Sequence, residues 1–344
     1  MDLRLFRLCG IAAIAALVSG CTSLQSYLLE RRLGLTAAAP LQTVAPPGQR
    51  DLGEQLAAGA QALAGTDLDR ALAAFRRYAA IAPTHLAQAR KVRGWLTLLE
   101  RESARRFAAQ AVALERAGRF GPRDPRQVAV FPLRSLGPNA ARDPFNRAVL
   151  AMITTDLAQV PSLVVLERER VDALLRELDL AASGLVDGAA GARPARLLGA
   201  GSVVAGSVFN EPGPTGPGSG RYAIATSVTD VGSGRMLGTA EAAGQQDDFF
   251  RLQKQVVHGI LDALGVKDIP SAVDRVHTLS WAAYARFAAG LSLLAENRFD
   301  EARQAFRAAL GFDPGFALAE QAFLATPEQP ASLDQIAAEA RAGR

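Results

Sequence analysis

The chain has 344 residues, 49% of them hydrophobic, and its lysines and arginines exceed its acidic residues by four. This length allows two or three domains with hydrophobic cores, and so small a basic excess argues against nucleic-acid binding. The only cysteines are Cys9 and Cys21. Because Cys9 lies in the N-terminal signal described next, no disulfide is expected within the mature chain.

Residues 1–20 have the layout of a secretory signal peptide. Arg4 and Arg7 precede an apolar run of eleven residues that ends at Val18. That run is too short for a membrane-spanning helix, which needs roughly 20 residues. The stretch from Val18 to Cys21 resembles the lipobox of bacterial lipoproteins. The resemblance implies signal cleavage between Gly20 and Cys21 and fatty acylation of Cys21.

The residue after Cys21 is Thr22, whereas many lipoproteins retained at the inner membrane have Asp there. The resemblance therefore implies a lipid anchor in the outer membrane, with the protein facing the periplasm. The alternative is a cleaved, secreted protein whose cysteine falls there by chance. Residues 21–50 are predicted to form the lipidated N-terminus and a tether, because residues 34–50 lack hydrophobic periodicity and contain Pro40, Pro46 and Pro47.

Two distant helical segments share one spacing of small, aromatic and proline residues, with intervals of twelve, four and eight positions. The corresponding residues are Gly59, Ala71, Phe75 and Pro83 upstream, and Gly290, Ala302, Phe306 and Pro314 downstream. This pattern resembles the tetratricopeptide repeat (TPR), in which the small residues let two antiparallel helices approach, Phe fills the groove and Pro ends the second helix. The alternative is a pair of ordinary hairpins in an alanine-rich sequence.

These repeats predict TPR-like helical regions at residues 51–120 and 267–326, followed by a tail at 327–344. A stable stack normally needs about three repeats, so each hairpin must pack on something else. Residues 84–118 are expected to cover the first hairpin, and the middle domain is expected to cover the second.

The middle domain, residues 126–266, alternates between strand and helix signals. Apolar runs predict strands at 128–133, 163–167 and 202–209, the second of them buried on both faces. Helical spacing predicts helices at 145–160, 169–180, 195–198 and 247–264. A β-hairpin is expected at 222–243 across Gly232–Gly234. Together these elements predict an α/β sandwich flanked by helical hairpins.

Five sequence pieces of this domain, taken in order, resemble the curli-assembly lipoproteins of the CsgG type. They are Leu166–Arg168 with the helix after it, Ser183–Gly184, Leu198–Ala200, Val204 with Gly206–Val208, and Val231–Leu237. Similar cores occur in LpoB, in PelC and in the N-terminal domain of TolB. The resemblance implies an α/β sandwich and a role in the cell envelope, with a homo-oligomeric ring as one form of assembly. It marks Glu167, Arg168, Gly184, Gly199 and Gly206 as family positions.

The pore-forming members of that family contribute membrane-spanning hairpins, and this sequence departs from them. Residues 210–221 contain three prolines and four glycines, and residues 239–248 are small and polar. Strands so rich in Pro and Gly do not suit a lipid-facing position. We therefore do not expect the pore activity to apply to this chain.

Residue types that carry chemistry are sparse in the sequence. His85, His258 and His277 lie far apart, without metal-ligand spacing, and an acylated Cys21 leaves no free thiol. The glycine-rich run 216–220 lacks the lysine that follows a phosphate-binding loop. The sequence therefore indicates a non-enzymatic protein without a cofactor or metal.

Two further features have structural interpretations. In the charge run 167–170, we expect Glu169 to cap the following helix and Arg168 to reach a neighbouring loop or subunit. The pair Phe249–Phe250 is expected to contact the core from the first turn of a helix.

Three functions remain open from the sequence. The first is a scaffold or accessory component in assembly or export of curli-type or polysaccharide material. It would be held by outer-membrane lipid through Cys21 and would bind periplasmic or outer-membrane proteins through the repeats. The second is an LpoB-like activator of a peptidoglycan synthase, and the third is a CsgG-type secretion channel.

Overall fold

A computed structural model describes residues 49–136, 145–179, 189–211, 213 and 220–343. The predicted signal peptide, Gly20, Cys21 and Gly184 lie outside these residues, as does the tether except for its last two residues. The described part forms eleven helices and six strands. No helix within these ranges combines the length and the apolar character needed to cross a membrane.

The first three helices are α1 (Gln49–Ala64), α2 (Leu68–Ile81) and α3 (Ala87–Arg116). The strands are β1 (Asp124–Val130), β2 (Arg134–Leu136), β3 (Val164–Val165), β4 (Ala200–Glu211), β5 (Arg221–Asp230) and β6 (Met236–Gln245). The helices among and after them are α4 (Phe145–Leu157), α5 (Arg168–Glu177), α6 (Ala189–Leu197) and α7 (Phe249–Ala263). The last four are α8 (Trp281–Ala295), α9 (Phe299–Phe312), α10 (Ala317–Ala325) and α11 (Leu333–Ala342).

The six strands form one mixed sheet in the order β3-β1-β4-β5-β6, with β2 also beside β4. Strand β1 is parallel to β3 and β4, whereas β4, β5 and β6 are antiparallel. Successive side chains of a strand point to opposite faces. Accordingly, Val128 and Val130 join a core with α4 and α7, while Ala129 and Phe131 join a core with α3 and α5. The predicted mixed α/β class is confirmed.

Strand β3 is shorter and more exposed than the sequence indicates. Of the predicted strand 163–167, only Val164–Val165 pairs with β1, and Val164 is 40% exposed. The reason is position, because β3 lies at the edge of the sheet. The prediction that this strand is buried on both faces is wrong.

The two predicted hairpins, α1–α2 and α8–α9, correspond residue for residue. A Cβ atom at Gly59 would overlap the Phe75 ring, and one at Gly290 would overlap the Phe306 ring. The connecting turns contain Thr66 and Asn297, each with φ of +61°. Ala71 and Ala302 are fully buried, and Pro83 and Pro314 each follow the last residue of the second helix by two positions.

The two hairpins pack on different parts of the molecule. The buried residues of α1 and α2 form a core with the first half of α3 and with α11. The buried residues of α8 and α9 belong instead to the core that α4 and α7 share with the sheet. Residues 327–344, expected to be a tail, therefore contain a packed helix, and Ile336, Ala337 and Ala340 are buried in the first of these cores.

Candidate functional site

A cleft of about 670 Å³ lies where the sheet, α3 and the C-terminal hairpin meet. Its walls include residues that follow the carboxyl ends of β1 and β3, the edge at which α/β sheets commonly bind ligands. Six arginines line it, and we call it the arginine cleft. They are Arg101 and Arg105 of α3, Arg134 of β2, Arg147 of α4, and Arg168 and Arg176 of α5.

Helix α5 supplies one wall of this cleft through its helical repeat. It begins at Arg168, three positions after the last residue of β3. Arg168, Asp172 and Arg176 are four residues apart, so they share one face, and all three line the cleft. The opposite face of α5 carries Val171 and Leu174, which are buried against the sheet. The amphipathic pattern that packs α5 on the sheet thus also directs its charges into the cleft.

Positive charge exceeds negative charge in the cleft, since its described lining contains six arginines and two acidic residues, Glu169 and Asp172. Arg168 Nε lies 3.5 Å from Asp172 Oδ2. Arg101 donates hydrogen bonds to Asn297 Oδ1 (2.8 Å) and to the Leu294 carbonyl oxygen (3.0 Å).

Two of the six arginines differ in their partners. Arg147 is half-buried and Arg176 is exposed. With the residues that the structure describes, neither makes a hydrogen bond or an ion pair within 4 Å. Among the described residues, the cleft therefore contains two cationic groups that lack a hydrogen-bonded or ion-paired partner.

The guanidinium groups act on one another across the cleft. Burial lowers the pKa of Arg147, and the nearby charges of Arg168 and Arg176 lower it further, opposed by Asp172 and Glu296. Burial also lowers the pKa of Arg101, and Arg176, Arg168 and Arg105 act in the same direction, opposed by Glu169. Arginine nonetheless stays protonated at neutral pH. The arrangement suits anion binding, whereas proton transfer needs groups that titrate near the working pH.

The remaining lining of the cleft is small or apolar. It consists of Leu133, Leu150, Leu175, Leu291, Leu294, Ala205, Gly206, Ala295 and Pro132, with the amide of Asn146. At Gly206 a Cβ atom would overlap the Ala225 carbonyl oxygen on β5. Glycine at this position therefore permits the close approach of β4 and β5 beside the cleft.

The other described positions that the family resemblance marks, Glu167 and Gly199, lie outside the cleft lining. Glu167 precedes α5 without capping it by its side chain, and its Oε1 accepts a hydrogen bond of 3.1 Å from Arg76 of α2. Gly199 has φ of +74° in the turn before β4. Gly184 lies outside the described residues.

The expectation that Glu169 caps α5 is wrong, as is the expected contact of Arg168 with a neighbouring loop, while its contact with a neighbouring subunit stays a prediction. Among the described residues, Arg168 pairs with Asp172 of its own helix, one turn away. Glu169 lies in the first turn of α5, and the residue at the N-cap is Glu167. Both Arg168 and Glu169 line the cleft. The charge run therefore contributes to a concave site.

Of the predicted site residues that the structure describes, the cleft brings together two, Arg168 and Gly206. None of the eight repeat residues lines it, although Leu291 and Asn297 of the C-terminal hairpin do. Sequence reasoning missed Arg101 and Arg147, which come from helices far apart in the chain. The one available signal was the four-residue spacing of charges on α5.

A second group of polar residues surrounds Asp156 of α4, which is 1% exposed. Asp156 Oδ2 accepts hydrogen bonds from Lys254 Nζ (2.7 Å) and Gln253 Nε2 (2.8 Å), and His277 Nε2 lies 2.9 Å from Oδ1. Lys254 also donates to the Val273 carbonyl oxygen at 2.8 Å. This network ties α4 and α7 to the segment before α8, which is a structural role.

The remaining expectations about single side chains concern histidines and Phe249–Phe250. His258 Nε2 lies 2.7 Å from Asp274 Oδ1 at the surface. Phe249 and Phe250 are 0% and 6% exposed in an aromatic cluster with Tyr284, which confirms their predicted place in the core. Within the described ranges, no three His, Cys, Asp or Glu side chains are grouped so as to hold a metal ion.

The sheet domain is similar to a known protein family. Residues 114–258 match the family model described as "Curli production assembly/transport component CsgG". The match includes β1 to β6 and the arginines contributed by β2, α4 and α5, while Arg101, Arg105 and both helical hairpins lie outside it. No curated protein shows significant similarity to the chain.

Proposed function

We propose that the chain is an accessory component in the assembly or export of cell-envelope or surface material, because residues 114–258 match the CsgG family model. The observation that carries this proposal is the family match across the whole sheet. The family description names assembly and transport. The character of the cleft agrees with it, since permanently charged arginines favour binding over proton-transfer chemistry.

We further propose that the helical hairpins serve as protein-binding surfaces of this component. The close packing of Gly59 on Phe75 and of Gly290 on Phe306, where an added Cβ atom would overlap each ring, occurs on identical spacing and supports a TPR-like origin for both. Both hairpins lie outside the family match. They therefore add surface to the CsgG-type domain, which suits a scaffold that binds periplasmic or outer-membrane proteins.

The proposed location is the periplasmic face of the outer membrane. Its support is the lipobox-like stretch Val18–Cys21, followed by Thr22 and a proline-containing tether. Several acyl chains on one residue anchor a protein firmly, because each buried CH₂ contributes about 0.8 kcal/mol. The described body would then remain outside the bilayer.

Replacement of Cys21 by Ser tests the anchor, and Cys9→Ser is its matched control because Cys9 lies within the signal. We expect the Cys21→Ser protein to leave the membrane fraction with an unchanged circular dichroism spectrum. The Cys9→Ser protein should remain membrane-bound, with an intact mass that shows acylation. Membrane retention of the Cys21→Ser protein, or an unmodified mature amino end, would contradict the proposal.

The assembly role is tested in the native host by deletion and complementation. Strains lacking the chain should show reduced surface fibre or polysaccharide, measured by dye binding and electron microscopy, and the wild-type chain should restore it. Crosslinking in intact cells then identifies the partner. If surface material is unchanged and the captured partner is a peptidoglycan synthase, the activator role replaces this proposal.

A further inference from the structure

We propose that the arginine cleft binds an organic phosphate, meaning a small molecule that carries a phosphate monoester or a diphosphate. The inference rests on the composition and placement of the cleft and is independent of the role in envelope assembly. Its starting point is the excess of six arginines over two acidic residues within about 670 Å³.

The partners of these arginines show where an anion would bind. Arg101 and Arg168 are held in place by Asn297 and Asp172. Arg147 and Arg176, which line the same cleft, make no hydrogen bond or ion pair within 4 Å with the described residues. A half-buried charge without a close partner is costly, and a bound anion compensates it. We therefore place the phosphate between α4 and α5.

The arrangement of the arginines favours phosphate over carboxylate. They are contributed by α3, α4 and α5, which are three separate helices, and by β2. A planar carboxylate is matched by one bidentate guanidinium, whereas a phosphate presents three terminal oxygens to donors on several sides. A phosphate monoester also carries a charge of about −1.5 to −2 at neutral pH, which better balances the excess positive charge.

The rest of the cleft has room for the body of such a molecule. Small-molecule sites typically occupy about 300–1,000 Å³, and this cleft falls in that range. Leu133, Leu150 and Leu291 provide apolar surface next to the charges. The cleft also lies beyond the carboxyl ends of β1 and β3, where α/β sheets bind phosphorylated ligands. The body is either that of a water-soluble phosphorylated sugar or the glycerol and acyl part of a lipid phosphate.

The experiment is calorimetric titration of the purified full chain in detergent with pyrophosphate, at constant ionic strength. We expect saturable binding at one site, with citrate of similar charge at least about tenfold weaker. Arg147→Gln and Arg176→Gln should each weaken pyrophosphate binding by roughly tenfold or more, as expected for the loss of a charge-assisted hydrogen bond. Arg286→Gln is the control, because it removes the same charge from an exposed site on α8 outside the cleft.

The source of the phosphate is resolved by displacement of pyrophosphate. Glucose 6-phosphate represents the soluble sugar phosphates, and dihexanoyl phosphatidic acid represents the lipid headgroups; displacement by either one supports the proposal. Because Arg176 is exposed, Arg176→Gln is expected to fold even if Arg147→Gln does not, and thermal melts verify this. Absent saturation, equal binding of citrate, unchanged affinity in Arg176→Gln, or failure of both esters to compete would each overturn the proposal.

Discussion

The N-terminal hairpin α1–α2 and the C-terminal hairpin α8–α9 are built alike but supported differently. Each has the same glycine–phenylalanine contact, and each turns through a residue with φ of +61°. The first packs with α3 and α11 in a core that contains no strand, whereas the second shares a core with the sheet. The local sequence thus determines the conformation of the hairpin. The elements against which it packs determine which core it stabilises.

Removing the buried phenylalanine ring from each hairpin should show the difference between their two supporting cores most clearly. Phe306→Ala and Phe75→Ala both empty fully buried sites, at a cost of about 3–5 kcal/mol each. In hydrogen exchange, Phe306→Ala should reduce amide protection in β4 and β5 as well as in α8 and α9. Phe75→Ala should reduce it mainly in α1, α2 and α11. Equal loss of protection in the sheet would show that the cores are not separable.

The second largest effect is expected in the buried hydrogen-bond network around Asp156, which links α4 and α7 to the segment before α8. Lys254→Met should lower the free energy of unfolding by about 3 kcal/mol, because the buried Asp156 carboxylate loses its lysine partner. Chemical denaturation followed by near-ultraviolet circular dichroism measures the change. Lys267→Met, on an exposed residue beyond α7, is the control and should change stability little. If Lys254→Met leaves the free energy of unfolding unchanged, the network adds no net stability.

Glycine substitutions provide a matched test of the repeat itself. Gly59→Ala and Gly290→Ala each force a methyl group into a buried phenylalanine ring, and overpacking of this kind costs about 1–3 kcal/mol. Gly53→Ala is the control, since a Cβ atom there meets nothing within 4 Å and alanine favours the helix. Thermal melts should show two destabilised variants and one unchanged or stabilised variant. A tolerated Gly290→Ala would count against close helix approach.

The smallest effect is expected at the surface contact between the N-terminal hairpin and the sheet domain. Arg76 Nη2 donates to Glu100 (2.9 Å) and Glu167 (3.1 Å), and about half of the Arg76 side chain is exposed. Arg76→Gln should therefore cost less than about 1 kcal/mol, and less still at high salt. Denaturation at low and high ionic strength measures it. A loss of several kcal/mol would instead make this contact a main attachment of the hairpin.

Local sequence could predict those parts of the fold whose conformation depends on residues close together in the chain. The hairpin β5–β6 turns at Gly232–Gly234, where the sequence places it, and Phe249 is buried as its helical position indicates. Strand β3 reads as buried because Leu163–Leu166 are all apolar, but sheet order puts it at an edge. Sheet order depends on tertiary packing, so a run of four apolar residues does not reveal it.

The candidate site was less predictable than the fold because it is assembled from distant elements. Arg101, Arg147 and Arg168 come from three helices that only the packing of α3 across the sheet brings together. Family likeness marks Arg168 and Gly206 but lends no significance to Arg101, which lies outside the matched segment. The repeat residues were found by spacing, yet they lie away from the cleft.

Helix α3 has a mechanical consequence for the cleft. Its 30 residues span about 45 Å, and an unbroken helix of that length behaves as a stiff rod. One end is clamped by Trp95 and Leu99 among the N-terminal helices, the other by Ala108 and Val112 on the sheet. Arg101 and Arg105 lie between the two clamps. A rotation of the N-terminal hairpin would therefore either be opposed by the stiffness of α3 or move Arg101 and Arg105 relative to the opposite wall of the cleft.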